Sequence, residues 1–285
     1  MSSPNPSPLA LARSFLFVPA TRPDRFAKAL ASGADAVIID LEDAVAPADK
    51  ASARQTLAQA WTGLTAAERA RILIRINAGS SDWQADDLNL LAGRGVAGVM
   101  LPKAEQAAQL DQVAAVLGAG CALVPLIESV AGLDAAVALA RSPQVLRLAF
   151  GNLDFQADAG LACGPDEPEL VAVRLAVVLA SRRAQLASPV DGVTAATQDM
   201  VQLARDVQRS RSCGFTAKLC IHPSQVAAVN AAFTPSPAEL DWASRVLAAS
   251  EAAGGGVVSL DGRMVDAPVI RLARRTLALQ GALPH

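Results

Sequence analysis

The stretch GVMLPKAEQAAQLDQVAAVLGAGCALVPLIE, residues 98–128, decides the fold. It opens on a short apolar run, GVML, that ends in Pro102 and Lys103. An alanine-rich segment of helical period follows from Ala104 to Leu117, and Gly118 stands where a helix should stop. A second apolar run, ALVPLI, then ends in Glu128. The runs are too continuous for half-exposed strands and suit a parallel sheet buried on both faces. The unit is therefore strand, helix, strand.

The same unit recurs in both directions. Apolar runs begin at Ser14 (SFLFVP), Ala36 (AVIIDL), Ile72 (ILIRIN), Gly98 and Ala122, and again at Val145 (VLRLAFG), Ser188 (SPVDGV) and Phe215 (FTAKLCI), which makes eight. Helical segments lie between them, at 22–32, 49–61, 82–92, 104–117, 131–140, 169–187 and 197–212, with Asp82 and Thr197 placed as N-caps. Eight strands alternating with helices predict an α/β fold, a (β/α)8 TIM barrel over residues 14–232. A doubly wound open sheet is the alternative, but no G-x-G-x-x-G or P-loop string follows any strand. Residues 1–13 read as a disordered tail. Their apolar run is broken by Arg13 and lacks a basic leader. After the TPSP run at 234–237, residues 233–285 read as a helical extension, a lid or an oligomerisation arm.

Composition narrows the chemistry. The chain has 285 residues, 52% hydrophobic but only 4% aromatic, with no tyrosine and two histidines, His222 and His285. Acid–base work must then fall to Asp, Glu, Cys, Lys or a metal. A net charge of -2 gives no reason to expect nucleic acid or an anionic membrane as partner. No apolar run approaches the length of a membrane span. The four cysteines form no C-x-x-C pair and read as reduced thiols of a cytoplasmic protein.

In a TIM barrel the active site lies at the C-terminal ends of the strands. Here those ends carry Arg22, the Asp40-Leu41-Glu42-Asp43 segment, Arg75 and Asn77, Lys103, Glu128, Asp154, Asp191, and Lys218 with His222. Arg13 and Arg71 mark strand beginnings. Glu128 and Asp154, on neighbouring strands, are candidates to give two carboxylates to one hard cation; magnesium binds in this way and keeps waters that substrate oxygens can displace. Taken singly, each also reads as an N-cap or turn residue. Arg75, inside an apolar strand, is either a salt bridge to Glu42 or Asp43 or a clamp for a carboxylate or enolate. Asp40, Glu42 and Asp43 fit a supporting role around the metal and Arg75. Only four lysines stand against 21 arginines, and Lys103 and Lys218 fall at strand ends, where a Schiff-base aldolase would need one. His222 reads equally as a helix cap or a ligand contact.

The segments RSFLFVPATRPDRFAKAL, GADAVIIDLEDAVAPADKASAR, IRINAG, GVMLPKAE, PLIESVAGL, LAFGNLDF, KLCIHPSQV and DGRMVDAP together resemble the citrate lyase beta-subunit / malyl-CoA lyase family, within the HpcH/HpaI aldolases. The matches run from Arg13 to Pro268. DLEDAV with its following K-x-x-A-R, and the pair I-E-S and G-x-x-D-F, are the specific signals. The resemblance implies a magnesium-dependent carbon–carbon lyase with Glu128 and Asp154 as metal ligands and Arg75 as the enolate-binding arginine. It implies CoA-phosphate contacts at Arg22 and Lys28 and places the Asp40-Leu41-Glu42-Asp43 segment near the metal. Asp40 and the strand-end Lys218 and His222 are then candidate substrate contacts, and Glu42 and Asp43 join Asp266 as candidate catalytic residues. Asp266 matches an acid/base that the C-terminal extension delivers, usually from a neighbouring subunit of a homo-oligomer, a trimer or hexamer. Ala20 departs from the glycine usual after the first strand's proline. The expected substrates are an acyl-CoA and a 2-oxo acid, joined as malyl-CoA or citramalyl-CoA. A thioester hydrolase, a citrate lyase beta subunit acting on a carrier-bound citryl thioester, a Schiff-base aldolase and a noncatalytic CoA-binding subunit are the alternatives.

Overall fold

The computed structural model describes residues 7–253 and 257–282. Eight parallel strands close into a barrel in sequence order: β1 (Ser14–Pro19), β2 (Ala36–Asp40), β3 (Ile72–Arg75), β4 (Gly98–Leu101), β5 (Ala122–Ile127), β6 (Ala149–Phe150), β7 (Val190–Asp191) and β8 (Ala217–Cys220). β1 pairs with both β2 and β8, which closes the ring. The α/β barrel expected from the alternating runs is thus the fold observed.

Strand alternation sorts the side chains. Phe15, Ala36, Ile38, Leu73, Met100, Val124, Leu126, Ala149, Val190, Ala217 and Leu219 fill one interior cluster. The alternate residues face the surrounding helices, so both faces of every strand are buried, and the runs are continuous because no face meets water. The helices between strands run over 26–31, 50–63, 84–91, 107–117, 130–141, 171–183 and 200–213. Gly118, at φ 79°, ends the helix at 107–117 as expected. The N-caps differ from expectation: Trp83 takes the place given to Asp82, and Asp199, accepting from the Gln202 amide, takes that given to Thr197.

The disordered tail expected over residues 1–13 needs correction where it is described; residues 1–6 lie outside the described residues. Pro8–Leu11 form a helical turn whose Leu9, with Ala12, joins the barrel-interior cluster. Arg147 fixes it, donating from Nη1 to the carbonyls of Leu9 (3.1 Å) and Ala12 (2.9 Å) and lying 5.2 Å from the Phe15 ring. Carbonyl acceptors at a helical C-terminus are what a buried guanidinium can use where no carboxylate reaches it. Arg147 thus joins Arg13 and Arg71 as a cation at a strand beginning, hidden in the sequence by its apolar neighbours.

The chain divides into two compact units between Asn230 and Ala231. The second contains a helix at Pro237–Ala252, the antiparallel pair β9 (Val258–Leu260) and β10 (Arg263–Val265), and a helix at Ala267–Ala282. Its own small core gathers Ala243, Val246, Val265 and Ala273. Among the described residues no helix is long and apolar enough to cross a membrane.

Candidate active site

The inward positions that end the strands carry the polar groups. Asp40 ends β2 and is 1% exposed. Its Oδ1 accepts from Arg75 Nε (2.7 Å) and the Glu42 amide (2.9 Å); Oδ2 accepts from Arg75 Nη2 (2.5 Å) and the Ala44 amide (3.1 Å). Both oxygens are thereby engaged. Asp40 is thus a buried anchor that fixes Arg75 and its own loop, the supporting role read for it in the sequence, and it does not line the recess described below.

Arg75 ends β3 on the neighbouring strand, in register with Asp40. Its fork pairs with Asp40, its Nη1 lies 3.0 Å from Glu42 Oε2, and its Cζ sits 4.7 Å from the Phe17 ring. Burial works against the charged form, but hydrogen bonding to Asp40 and the Asp40 and Glu42 charges outweigh it and raise its pKa. The salt bridge to Glu42 is thus present, and the guanidinium also lines the recess described below.

Glu42 is buried, and its Oε2 has no hydrogen-bond partner despite the ion contact. Its Oε1 is 3.8 Å from Lys103 Nζ. Burial pushes the Glu42 carboxyl up to about 7; Arg75 opposes this, and Asp43 and Asp40 add to it. Asp43 is exposed.

Glu128 follows β5 and is also buried. Its Oε1 accepts from the Lys103 amide at 2.7 Å. Lys103 adopts a left-handed φ of 47°, a conformation that costs a non-glycine residue about 1–3 kcal/mol and concentrates at functional sites. Burial, then the charge of Glu42, push Glu128 up to about 8; the Lys103 amide opposes, and Asp154 adds. Gly151 makes the space for this carboxylate, because a Cβ there would lie 2.6 Å from Glu128 Cβ and 2.8 Å from its Oε2.

Asp154 sits in the first turn of a short helix, Asn152–Asp158, and is exposed. Asn152 docks that helix: its Oδ1 accepts from the Val193 amide (2.9 Å) and its Nδ2 donates to Glu167 Oε1 (3.0 Å). Arg75, Glu128, Asn152 and Asp154 line one recess over a floor that includes Phe17, Leu126, Val193 and Leu219. Asn152 and Phe17 escaped the sequence reading. Asn152 directly follows a strand end and Gly151, which is the signal that could have found it.

The remaining candidates fall outside the recess. Lys218 is a correction: it alternates with the inward Ala217 and Leu219, is 1% exposed, and donates to the Gly192 carbonyl at 2.6 Å in the layer behind the barrel wall. Asp191 lies in the same layer, paired with the buried Arg174. Lys103 is half exposed beside Glu42, so neither lysine is a desolvated amine facing the recess, and the Schiff-base alternative loses its motive. His222 caps the turn at 223–225, accepting from the Ser224 amide through Nδ1. Arg22 forks onto Asp24 at 2.9 and 2.8 Å, and Lys28 is exposed on the helix at 26–31. Asp266 belongs to the second unit, where its Oδ1 accepts from the Val269 amide at 3.3 Å.

The donor set fits a hard divalent ion. Two carboxylates line the recess, and the burial and mutual repulsion that push the Glu128 pKa up are what a bound cation would relieve. Among the described residues no group of three or more His, Cys, Asp or Glu side chains is arranged to hold a metal. Two protein ligands leave most of a magnesium shell to water and substrate oxygens.

Carboxylates and an arginine gather at the C-terminal mouth of a (β/α)8 barrel, where enzymes of this fold carry their active sites. The model for HpcH/HpaI aldolase/citrate lyase matches residues 13–223, and that for a carbon–carbon bond lyase of the TIM-barrel fold matches 171–280. The chain belongs to the HpcH/HpaI aldolase/citrate lyase family and is an enzyme of the carbon–carbon lyase class. It is 38% identical over 273 residues to a citrate lyase subunit beta-like protein of Mycobacterium tuberculosis, covering 94% of this chain and 95% of that one. It is 35% identical over 274 residues to a (3S)-malyl-CoA thioesterase of Cereibacter sphaeroides, covering 95% of each. The crystal structure of M. tuberculosis CitE with magnesium, acetoacetate and coenzyme A superposes with a TM-score of 0.84 at 37% identity, covering 95% of this chain and 99% of that one.

Proposed function

We propose that the protein reversibly cleaves a β-hydroxyacyl-CoA, such as malyl-CoA or citramalyl-CoA, to acetyl-CoA or a related acyl-CoA and a 2-oxo acid. The observation that carries this reading is the convergence of Glu128, Asp154 and Arg75 on one recess. Glu128 and Asp154 would hold magnesium, which when bound supplies Lewis-acid polarisation of the oxo acid's oxygens. The relatives crystallised with magnesium and with coenzyme A, pyruvate or oxaloacetate support both the ion and the substrate class.

Arg75 holds the oxygen of the thioester enolate as the carbon–carbon bond breaks, with Asp40 and Glu42 keeping the guanidinium in place. Asp266 returns the proton to the acetyl carbon, and Asp43 adds negative charge beside Glu42. Asp266 acts across a homo-oligomer, a trimer or hexamer. Arg22 and Lys28, both exposed, meet the CoA phosphates, and His222, which follows β8, contacts the substrate. The four free thiols fit a reducing compartment, the cytoplasm.

Thioester hydrolysis is the second reading, favoured by the malyl-CoA thioesterase relative. Mass spectrometry of products from malyl-CoA separates the two. The lyase gives acetyl-CoA and glyoxylate; free CoA and malate as first products would contradict it.

A further inference from the structure

The K-x-x-A-R string, Lys50 to Arg54, has no part in the chemistry above. Its lysine is nevertheless 5% exposed at the first position of the helix Lys50–Gly63. A cation there opposes the helix dipole, and burial also lowers the lysine's pKa. Something must offset both effects. Lys50 Nζ donates to the carbonyls of Leu41 (2.7 Å) and Glu42 (2.8 Å) and to Asn77 Oδ1 (2.6 Å), which employs all three of its protons. The Trp83 ring covers it at 5.1 Å.

The partners are held in turn. Asn77 Nδ2 donates to the Leu41 carbonyl (3.0 Å) and to Asp87 Oδ2 (2.7 Å), and the Asn77 amide donates to the same oxygen (2.8 Å). Arg54, one turn beyond Lys50, closes the circuit on Asp87 Oδ1 at 3.2 Å. The loops after β2 and β3 are thus joined to each other.

Glu42 is where this matters. Its Oε2 has no hydrogen bond of its own, so no hydrogen bond through that atom secures the carboxylate against Arg75. Its backbone is pinned on both sides instead, the amide by Asp40 and the carbonyl by Lys50. We propose that Lys50 is a positioning residue that sets Glu42 against Arg75 through the Leu41 and Glu42 carbonyls, with Asn77, Asp87 and Arg54 as its support. The proposal rests on the reading that Glu42 and Arg75 serve turnover of a β-hydroxyacyl-CoA.

The test is a double-mutant cycle on malyl-CoA turnover with magnesium, counting cleavage and hydrolysis products together, with thermal melting as the check on folding. Lys50→Met should lower kcat about 10- to 100-fold while KM moves less than about threefold. In a Glu42→Gln background the same change should add less than about twofold, because residues acting through one another are not additive. A kcat within about twofold of wild type, or full multiplication of the two effects, overturns the proposal. If Lys50→Met does not fold, Arg54→Lys runs the same cycle with an expected loss of about threefold, and no loss there overturns it. Hydrolysis products with these rate effects intact would sink the lyase reading alone. Normal cleavage in Lys50→Met would sink the positioning role alone, and a wild type that turns over neither way sinks both.

Discussion

Glu128 meets opposing demands. In the proposed role it must be ionised to hold a cation, yet burial and the neighbouring Glu42 and Asp154 push its pKa up to about 8. The consequence for stability has a definite sign. From the ordinary carboxylate range up to about 8 the folded protein holds a proton that the unfolded chain has lost, so stability falls as pH rises through that window. Glu42, pushed up to about 7, acts in the same direction. Without added metal, the melting temperature of the wild type should therefore fall between about pH 5 and 8. Glu128→Gln should show a flatter profile, and magnesium affinity of the wild type should rise with pH over the same window. Parallel melting profiles for the two proteins would contradict this. Residue identity at this scale was legible, since Arg75, Glu128 and Asp154 stood at strand ends in the sequence. Their exposure was not, because whether a side chain meets water depends on residues far along the chain. For that reason Lys218, a substrate candidate by its strand-end position, faces the helical layer, and Asp40 supports Arg75 without lining the recess.

The elements that carry the site were readable in proportion to their length. The eight strands announce themselves as unbroken apolar runs because both faces are buried. The turn at Pro8–Leu11 and the helix at Asn152–Asp158 are too short to show a period, and short helices are held by packing rather than by propensity. The second of these carries Asp154, so half of the expected metal pair stands on an element the sequence did not disclose. Its junction with β6 is tight. Gly151→Ala would drive a methyl group to 2.6 Å from Glu128 Cβ, and relief must come from moving the Glu128 side chain or the helix. Overpacking of this kind costs about 1–3 kcal/mol. The expected outcome is a lower melting temperature together with a loss of the stabilisation that the account expects magnesium to confer on the wild type. Thermal melting with and without magnesium checks it, and an unchanged magnesium shift would show that the site tolerates the methyl.

Across the whole molecule, the barrel supplies binding and charge, whereas the proposed proton carrier, Asp266, belongs to a separate compact unit with its own core. The sequence marked that unit by the TPSP run, but nothing in its spacing assigned Asp266 a role; only the family resemblance did. Asp266→Asn should therefore abolish exchange of the acetyl-CoA methyl protons into deuterated water while leaving magnesium binding by the barrel intact. Exchange that persists in the variant would remove Asp266 from the mechanism. The central claim, that the recess of Glu128, Asp154 and Arg75 makes and breaks a carbon–carbon bond with magnesium, is tested most directly in the condensation direction. Acetyl-CoA is incubated with glyoxylate or pyruvate and magnesium, and the products are read by mass spectrometry. The account predicts a malyl-CoA or citramalyl-CoA adduct that disappears in excess EDTA and in Glu128→Ala. An adduct that forms undiminished in EDTA, or none from the wild type with either oxo acid, would contradict it.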